Sequence, residues 1–240
     1  MKRIMYLILL GCINCVFAQQ NSVEVTYKVD LVETEVSEVL KDIYKIAYDN
    51  VKFIDFKLLG YAKESLFYRE KLLTNDAEKG ADIALTILGA KGRFFTNLEN
   101  GLVYEDLPAF GEKFIVKHPV ITNEWKLTKN SKSIGKYLCY KATTTYVVNN
   151  SKGRFEFPVI AWYAPEINLS FGPKNYSGLP GLILELREKD RIFYADKINL
   201  GQLDEKQRKL IAPPKGKKPI TQAEFDAIGA KIAKERFGGR

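Results

Sequence analysis

The chain has 240 residues, 46% hydrophobic and 28% charged, with 37 Lys and Arg against 29 Asp and Glu for a net charge of +8. That length and apolar content bury a real core in one domain, or at most two. A single histidine, His118, excludes multi-histidine metal centres, and one histidine with one cysteine, Cys139, is too small a ligand set for zinc.

Met1-Lys2-Arg3 is a short basic segment, and the apolar run from Ile4 to Phe17 that follows is too short to span a bilayer comfortably. Val16-Phe17-Ala18 before Gln19-Gln20 matches small-x-Ala cleavage, so residues 1–18 read as a secretory signal peptide. A lipoprotein box at Leu9-Leu10-Gly11-Cys12 is the competing reading. Its poorly fitting Leu10 and very short preceding apolar run argue against lipid anchoring at Cys12. Cleavage removes Lys2, Arg3, Cys12 and Cys15, which lowers the net charge to +6 and leaves Cys139 as the sole cysteine. No intramolecular disulfide is then available, and the exported chain must stand on its core. The expected place is the periplasm or the outer-membrane surface, which argues against nucleic acid as a partner. The remaining positive charge serves solubility, or attraction to an anionic envelope surface or partner.

Val23 to Val29 alternates apolar and polar residues and reads as the first strand. Between Glu35 and Asn50 the period changes. Val36, Val39, Leu40, Ile43 and Ala47 fall on one helical face, so a helix is expected there. Lys52–Leu58 and Ser65–Arg69 form a hairpin around Ala62-Lys63-Glu64. Asn75-Asp76 then offers a cap for a helix carrying Ala81, Ala84, Leu85 and Leu88.

From Gly92 the chain becomes a series of short strands. Arg93–Leu98 and Leu102–Asp106 flank Glu99-Asn100-Gly101, whose Asn-Gly tolerates positive φ. Lys113–Lys117, a brief strand at Trp125-Lys126-Leu127, and a long hairpin of Tyr137–Val148 with Phe155–Tyr163 follow. Pro158 marks an edge position or a bulge. Gly181–Arg187 and Ile192–Ile198 pair around Lys189-Asp190. The expected fold is mainly β (α+β): a curved, partly closed antiparallel sheet holding a helix or loop in its concavity, with a few helices.

A basic Pro/Gly linker, Ala212-Pro213-Pro214-Lys215-Gly216-Lys217-Lys218-Pro219, separates the β-rich part, 19–211, from the tail. Thr221-Gln222-Ala223-Glu224 is a capping box for a C-terminal helix whose apolar stripe is Phe225, Ile228, Ile232 and Ala233. The helix is expected to dock on the sheet, with a partner as the alternative.

Candidate chemistry is sparse. Cys139 lies inside a strand and His118 precedes a proline, which favours structural roles over a nucleophile pair. No serine sits in a Gly-x-Ser-x-Gly elbow. Glu156, Glu166 and Asp106 are the carboxylates a hydrolase would use, although acids this common discriminate little. Ser177-Gly178-Leu179-Pro180-Gly181 lacks the Lys-Ser/Thr and the helix of a phosphate loop. It reads as a type II turn, with Gly181 at positive φ, delivering a strand whose Leu182, Leu184 and Leu186 share one face and Ile183, Glu185 and Arg187 the other. Upstream, aromatics interleave with Gly and Pro. Trp162, Tyr163, Phe171, Lys174, Tyr176, Leu179 and Pro180 are the candidate partner- or ligand-binding residues, packing over one end of the sheet being the alternative.

Trp162-Tyr163-Ala164-Pro165-Glu166-Ile167, Gly172-Pro173 and Gly178-Leu179-Pro180-Gly181-Leu182-Ile183-Leu184 closely resemble the GLPGLI, or Porph_ging, family of exported proteins. Cys139-Tyr140-Lys141-Ala142-Thr143-Thr144 and Ser65-Leu66-Phe67-Tyr68 are similar to other stretches of that family. The resemblance implies an accessory envelope protein, with an outer-membrane TonB-dependent receptor as the implied partner. It supplies no catalytic residue and no cofactor. The expected function is non-enzymatic binding of a protein partner or an apolar ligand. A carboxylate-based hydrolase and a structural envelope component are the alternatives.

Overall fold

The computed structural model describes residues 21–33, 35–70, 75–120, 124–150, 153–201 and 203–237. The signal-peptide reading lies outside the described residues. Among the described residues, twelve strands and four helices follow one another as β1 (Ser22–Leu31), α1 (Glu38–Val51), β2 (Phe56–Tyr61), β3 (Glu64–Arg69), α2 (Asn75–Leu88), β4 (Arg93–Asn97), β5 (Leu102–Ala109), β6 (Glu112–Pro119), β7 (Lys126–Ile134), β8 (Tyr137–Asn150), β9 (Gly153–Ala164), β10 (Leu182–Glu188), β11 (Arg191–Leu200), α3 (Glu205–Leu210), β12 (Ile220–Thr221) and α4 (Gln222–Phe237). All strands join one curved sheet in the order β12-β6-β5-β4-β3-β2-β1-β11-β10-β9-β8-β7, which does not close. Every pairing is antiparallel except β12 with β6.

Successive residues of the central strands are buried on opposite faces. Leu58, Phe67 and Phe94 enter the main core on the inner face, whereas Leu59, Leu66 and Phe95 meet Leu203 and Ile211 in a second cluster outside. Both faces are therefore covered, which explains why Leu58-Leu59 and Phe94-Phe95 are paired apolar residues rather than an alternation. Phe56, Phe67 and Phe193 form the centre of the inner core, with centroids 5.1 Å apart for Phe56–Phe67 and 5.5 Å for Phe56–Phe193. Each such ring removed from water contributes about 1.5–3 kcal/mol. Tyr27, fully buried, donates its hydroxyl to the Ile183 carbonyl at 2.5 Å, and burial pushes its phenol far up.

Several expectations are corrected. The strand near Trp125 runs from Lys126 to Ile134, and Trp125 itself precedes it, buried. Its polar sequence, KLTKNSKSI, carries no apolar alternation because β7 is an outermost strand, where charged residues keep the edge soluble. The short helix α3 and the parallel strand β12 went unrecognised. Asp204 caps α3 through a reciprocal bond with Gln207, a signal present in the sequence. Helix α1 buries Ala47 and Val51, but Val39, Leu40 and Ile43 stay exposed. Pro158 lies opposite Thr145 in the part of the β8–β9 hairpin that projects past β10, so it interrupts no ladder on its other side.

Candidate functional site

The segment 165–181, between β9 and β10, is folded into the concavity. Its backbone closes on itself: Phe171 N–H donates to the Leu169 carbonyl, Gly178 N–H to Ser170 and Leu182 N–H to Ile167. The turn at Pro180 is not type II. Gly181 N–H donates to the Leu179 carbonyl at 2.8 Å, a three-residue turn centred on Pro180, and Gly181 sits at φ 147°. A Cβ there would lie 2.3 Å from the Ala164 carbonyl oxygen, so glycine is required by both the backbone angle and the close approach. Further in, the Phe171 ring rests on β2 at Gly60, where a Cβ would come within 2.9 Å of it. A register shift between Ile183 and Glu185 turns Ile183 into the core instead of leaving it on the outer face with Glu185.

An ion cluster anchors this segment. Lys174, at φ 57°, points its ammonium inward to Glu188 at 2.5 Å and to the Leu88 carbonyl at the end of α2 at 3.4 Å. Tyr176 donates to the other Glu188 oxygen at 3.0 Å, and Arg191 stands 3.8 Å from Glu188 and 3.5 Å from Asp190. Glu188 is 1% exposed, Asp190 2% and Lys174 7%. Burial opposes ionisation of Glu188, but Lys174 and Arg191 together with the two donated hydrogen bonds outweigh it and hold the carboxyl below its usual range. Burial, reinforced by Glu188, pushes the Tyr176 phenol well up. The cluster ties together the 165–181 segment, the β10–β11 turn and the end of α2.

The seven candidate residues do not form one surface. Tyr163, Phe171, Lys174, Tyr176 and Leu179 are buried; Pro180 is exposed. Trp162 is half-buried on β9, with the Lys132 ammonium 4.6 Å from its ring centre and Lys132 paired to Glu185 at 2.7 Å. The aromatic Gly/Pro stretch packs. Glu188, Asp190 and Arg191 escaped sequence reasoning because a charged run at a hairpin turn looks the same whether it is solvated or folded inward.

The reactive side chains are equally structural in setting. Cys139 is fully buried, and burial pushes its thiol up to about 11, which leaves little thiolate at neutral pH. His118 Nε2 lies 3.3 Å from Glu105 Oε2. Glu156 pairs with Arg154 at 2.7 Å. The strand from Glu156 to Ala164 spans roughly 26 Å, far beyond the spacing at which Glu166 and Glu156 act on one bond. Asp106 lines a separate 270 Å³ pocket with Arg93 and Pro213. Among the described residues no group of three His, Cys, Asp or Glu is arranged to hold a metal ion.

Two surface features remain. Val39, Ile43 and Ile46 on α1 are 85%, 43% and 38% exposed, and Phe53 just beyond is exposed too. Beside the helix, a groove of about 860 Å³ is lined by Leu31, Glu33, Glu35 and Val36 and walled by Tyr44 and Tyr48.

A family model described as "Protein of unknown function (Porph_ging)" matches residues 149–185, which take in the end of β8, β9, the inward segment and the start of β10. The chain carries the Porph_ging signature. The matched residues thus include the inward segment 165–181, which helps fill the inner face of the sheet. No curated protein matches the sequence. Two solved structures, both of PNGF-II, are similar in fold. The one in space group C2 gives a TM-score of 0.50 at 17% identity over 84% of this chain and 31% of that one. The one in P21 gives 0.52 at 14% identity over 87% and 33%. This chain spans about a third of the PNGF-II chain, and at these identities the likeness is one of fold.

Proposed function

We propose that this is an exported, non-enzymatic envelope protein that acts by binding a protein partner. The observation that carries the reading is the filled concavity. The side chains that a carrier of apolar ligands would leave as cavity lining are instead covered by Phe171, Leu179, Ile167 and Leu169, each at most 4% exposed. What the fold offers outward is the apolar flank of α1, of the kind that marks a protein contact. Helices that lie on anionic membranes carry Lys and Arg on their polar face. The polar face of α1 has Glu38, Asp42 and Asp49 against Lys41 and Lys45, which favours a protein over a lipid surface. An outer-membrane receptor of the TonB-dependent class is the partner that the Porph_ging resemblance implies.

Site-specific photo-crosslinking tests this in the cells that make the protein. A crosslinker at Ile43 is expected to yield a discrete protein adduct, and one at the exposed Lys126 of β7 none. Lipid adducts alone from Ile43, or no adduct from it, would count against the proposal.

A further inference from the structure

Residues 30–50 carry six acids against Lys41 and Lys45, a net charge of −4 inside a chain of net +8. Part of that charge lines the groove beside α1. Glu38 is engaged by Lys41 at 2.5 Å and Lys45 by Asp49 at 2.9 Å. Glu33 and Glu35 are exposed and, among the described residues, have no cationic partner. Tyr44 and Tyr48 stand with ring centroids 6.4 Å apart, and Tyr48 is fixed by donating its hydroxyl to the Val32 carbonyl at 2.9 Å. Leu31 and Val36 complete the apolar part of the lining. A preformed groove with aromatic walls and free carboxylates is the complement of an extended, basic, proline-rich chain. Proline rings lie on tyrosine faces and lysines reach the acids.

This chain displays such a segment. Residues 212–219, Ala-Pro-Pro-Lys-Gly-Lys-Lys-Pro, hold three lysines and no acid and form neither helix nor strand. Lys217 is engaged by Glu112 at 2.5 Å, but Lys215 and Lys218 are exposed with no ion-pair partner among the described residues. The segment leads into β12 on the sheet edge beyond β6, five strands from β1, and contributes nothing to the groove of its own chain. The inner side of the segment borders its own sheet, where Pro213, Pro214 and Lys215 line the pocket with Arg93 and Asp106, but Lys215, Lys218 and Pro213 are exposed and complement the groove. We propose that the groove beside α1 receives the basic proline segment 212–219 of a second copy of this chain. Reciprocal exchange about a two-fold axis fills both grooves and closes a dimer; one-sided exchange propagates. The contact is small and its charges are exposed, so the association is weak and salt-screened.

Sedimentation of the full protein purified from its own cells, over a range of concentrations at low and high salt, tests this. Self-association at low salt that fades at high salt is expected. Glu33→Lys with Glu35→Lys, and separately Lys215→Glu with Lys218→Glu, should each weaken it by about tenfold or more. Circular dichroism confirms that these surface variants remain folded. Carrying all four reversals in one chain should restore the association, because the complementarity is then inverted on both sides. A monomer under every condition, association indifferent to either pair of reversals, or no recovery in the fourfold variant would overturn the proposal.

Discussion

Replacing the Glu188 carboxylate by an amide leaves acceptor oxygens for Lys174, on the amide and on Leu88 at 3.4 Å, but no negative charge opposite its buried ammonium. Glu188→Gln is therefore expected to cost about 3–5 kcal/mol at neutral pH in urea denaturation, whereas Lys174→Met with Glu188→Leu should recover most of that loss. Acid should narrow the gap between wild type and Glu188→Gln. The carboxyl is held below its ordinary range in the folded state, so the unfolded chain takes up the proton first as pH falls. The stabilisation is complete above the ordinary carboxylate pKa and is lost as pH drops through the lowered one. Stability curves that stay parallel down to low pH would show that the Lys174–Glu188 pair is not the source. At this scale the sequence was legible only in part. Gly181 could be read as a glycine its backbone needs, though the turn it serves is a different one. The inward path of Lys174 could not be read, since a lysine between proline and asparagine normally points to water.

Among the elements, the tail rests on a narrow contact. Phe225 of α4 stacks on Phe110 at 5.8 Å and meets Phe114 edge-on at 5.3 Å, while Thr221 and Glu224 cap the helix reciprocally. Phe225→Ala is expected to raise amide exchange throughout α4 while β1 and β11 keep their protection. Thr221→Ala should do so more mildly, removing about 1 kcal/mol of capping. Exchange in α4 unchanged by Phe225→Ala would mean that other contacts hold the tail. The elements legible in the sequence were those with one buried face or a terminal signal. These are the alternation of β1, the long β8–β9 hairpin, and the Thr221 box. Only the start of polar β7 was legible, at Lys126-Leu127, and its remainder and two-residue β12 were not, because edge pairing is made by backbone, which side-chain pattern does not report. The exposed half of α1 misled in the opposite sense. Its apolar face has the period of a buried helix, and only the sheet's position reveals that it runs past the core.

For the whole molecule, the sequence points to a curved sheet with a helix or loop held inside it, and the structure fills that face with both: the 165–181 segment, and α2 with the end of α1, share one core cluster. A sheet filled in this way, with both faces covered, has spent its apolar interior on stability and displays what remains on α1. Tyr163, Phe171, Tyr176 and Leu179 of the aromatic stretch are core, whereas Trp162 stays half-buried and Pro180 exposed, and the proposed binding role is placed on α1 and the linker. The most direct measurement is native mass spectrometry of the protein extracted gently from its own envelope. The account predicts a species carrying a second polypeptide, whether a partner or another copy, and no bound lipid-sized mass. A stoichiometric small apolar ligand on a single chain would contradict it.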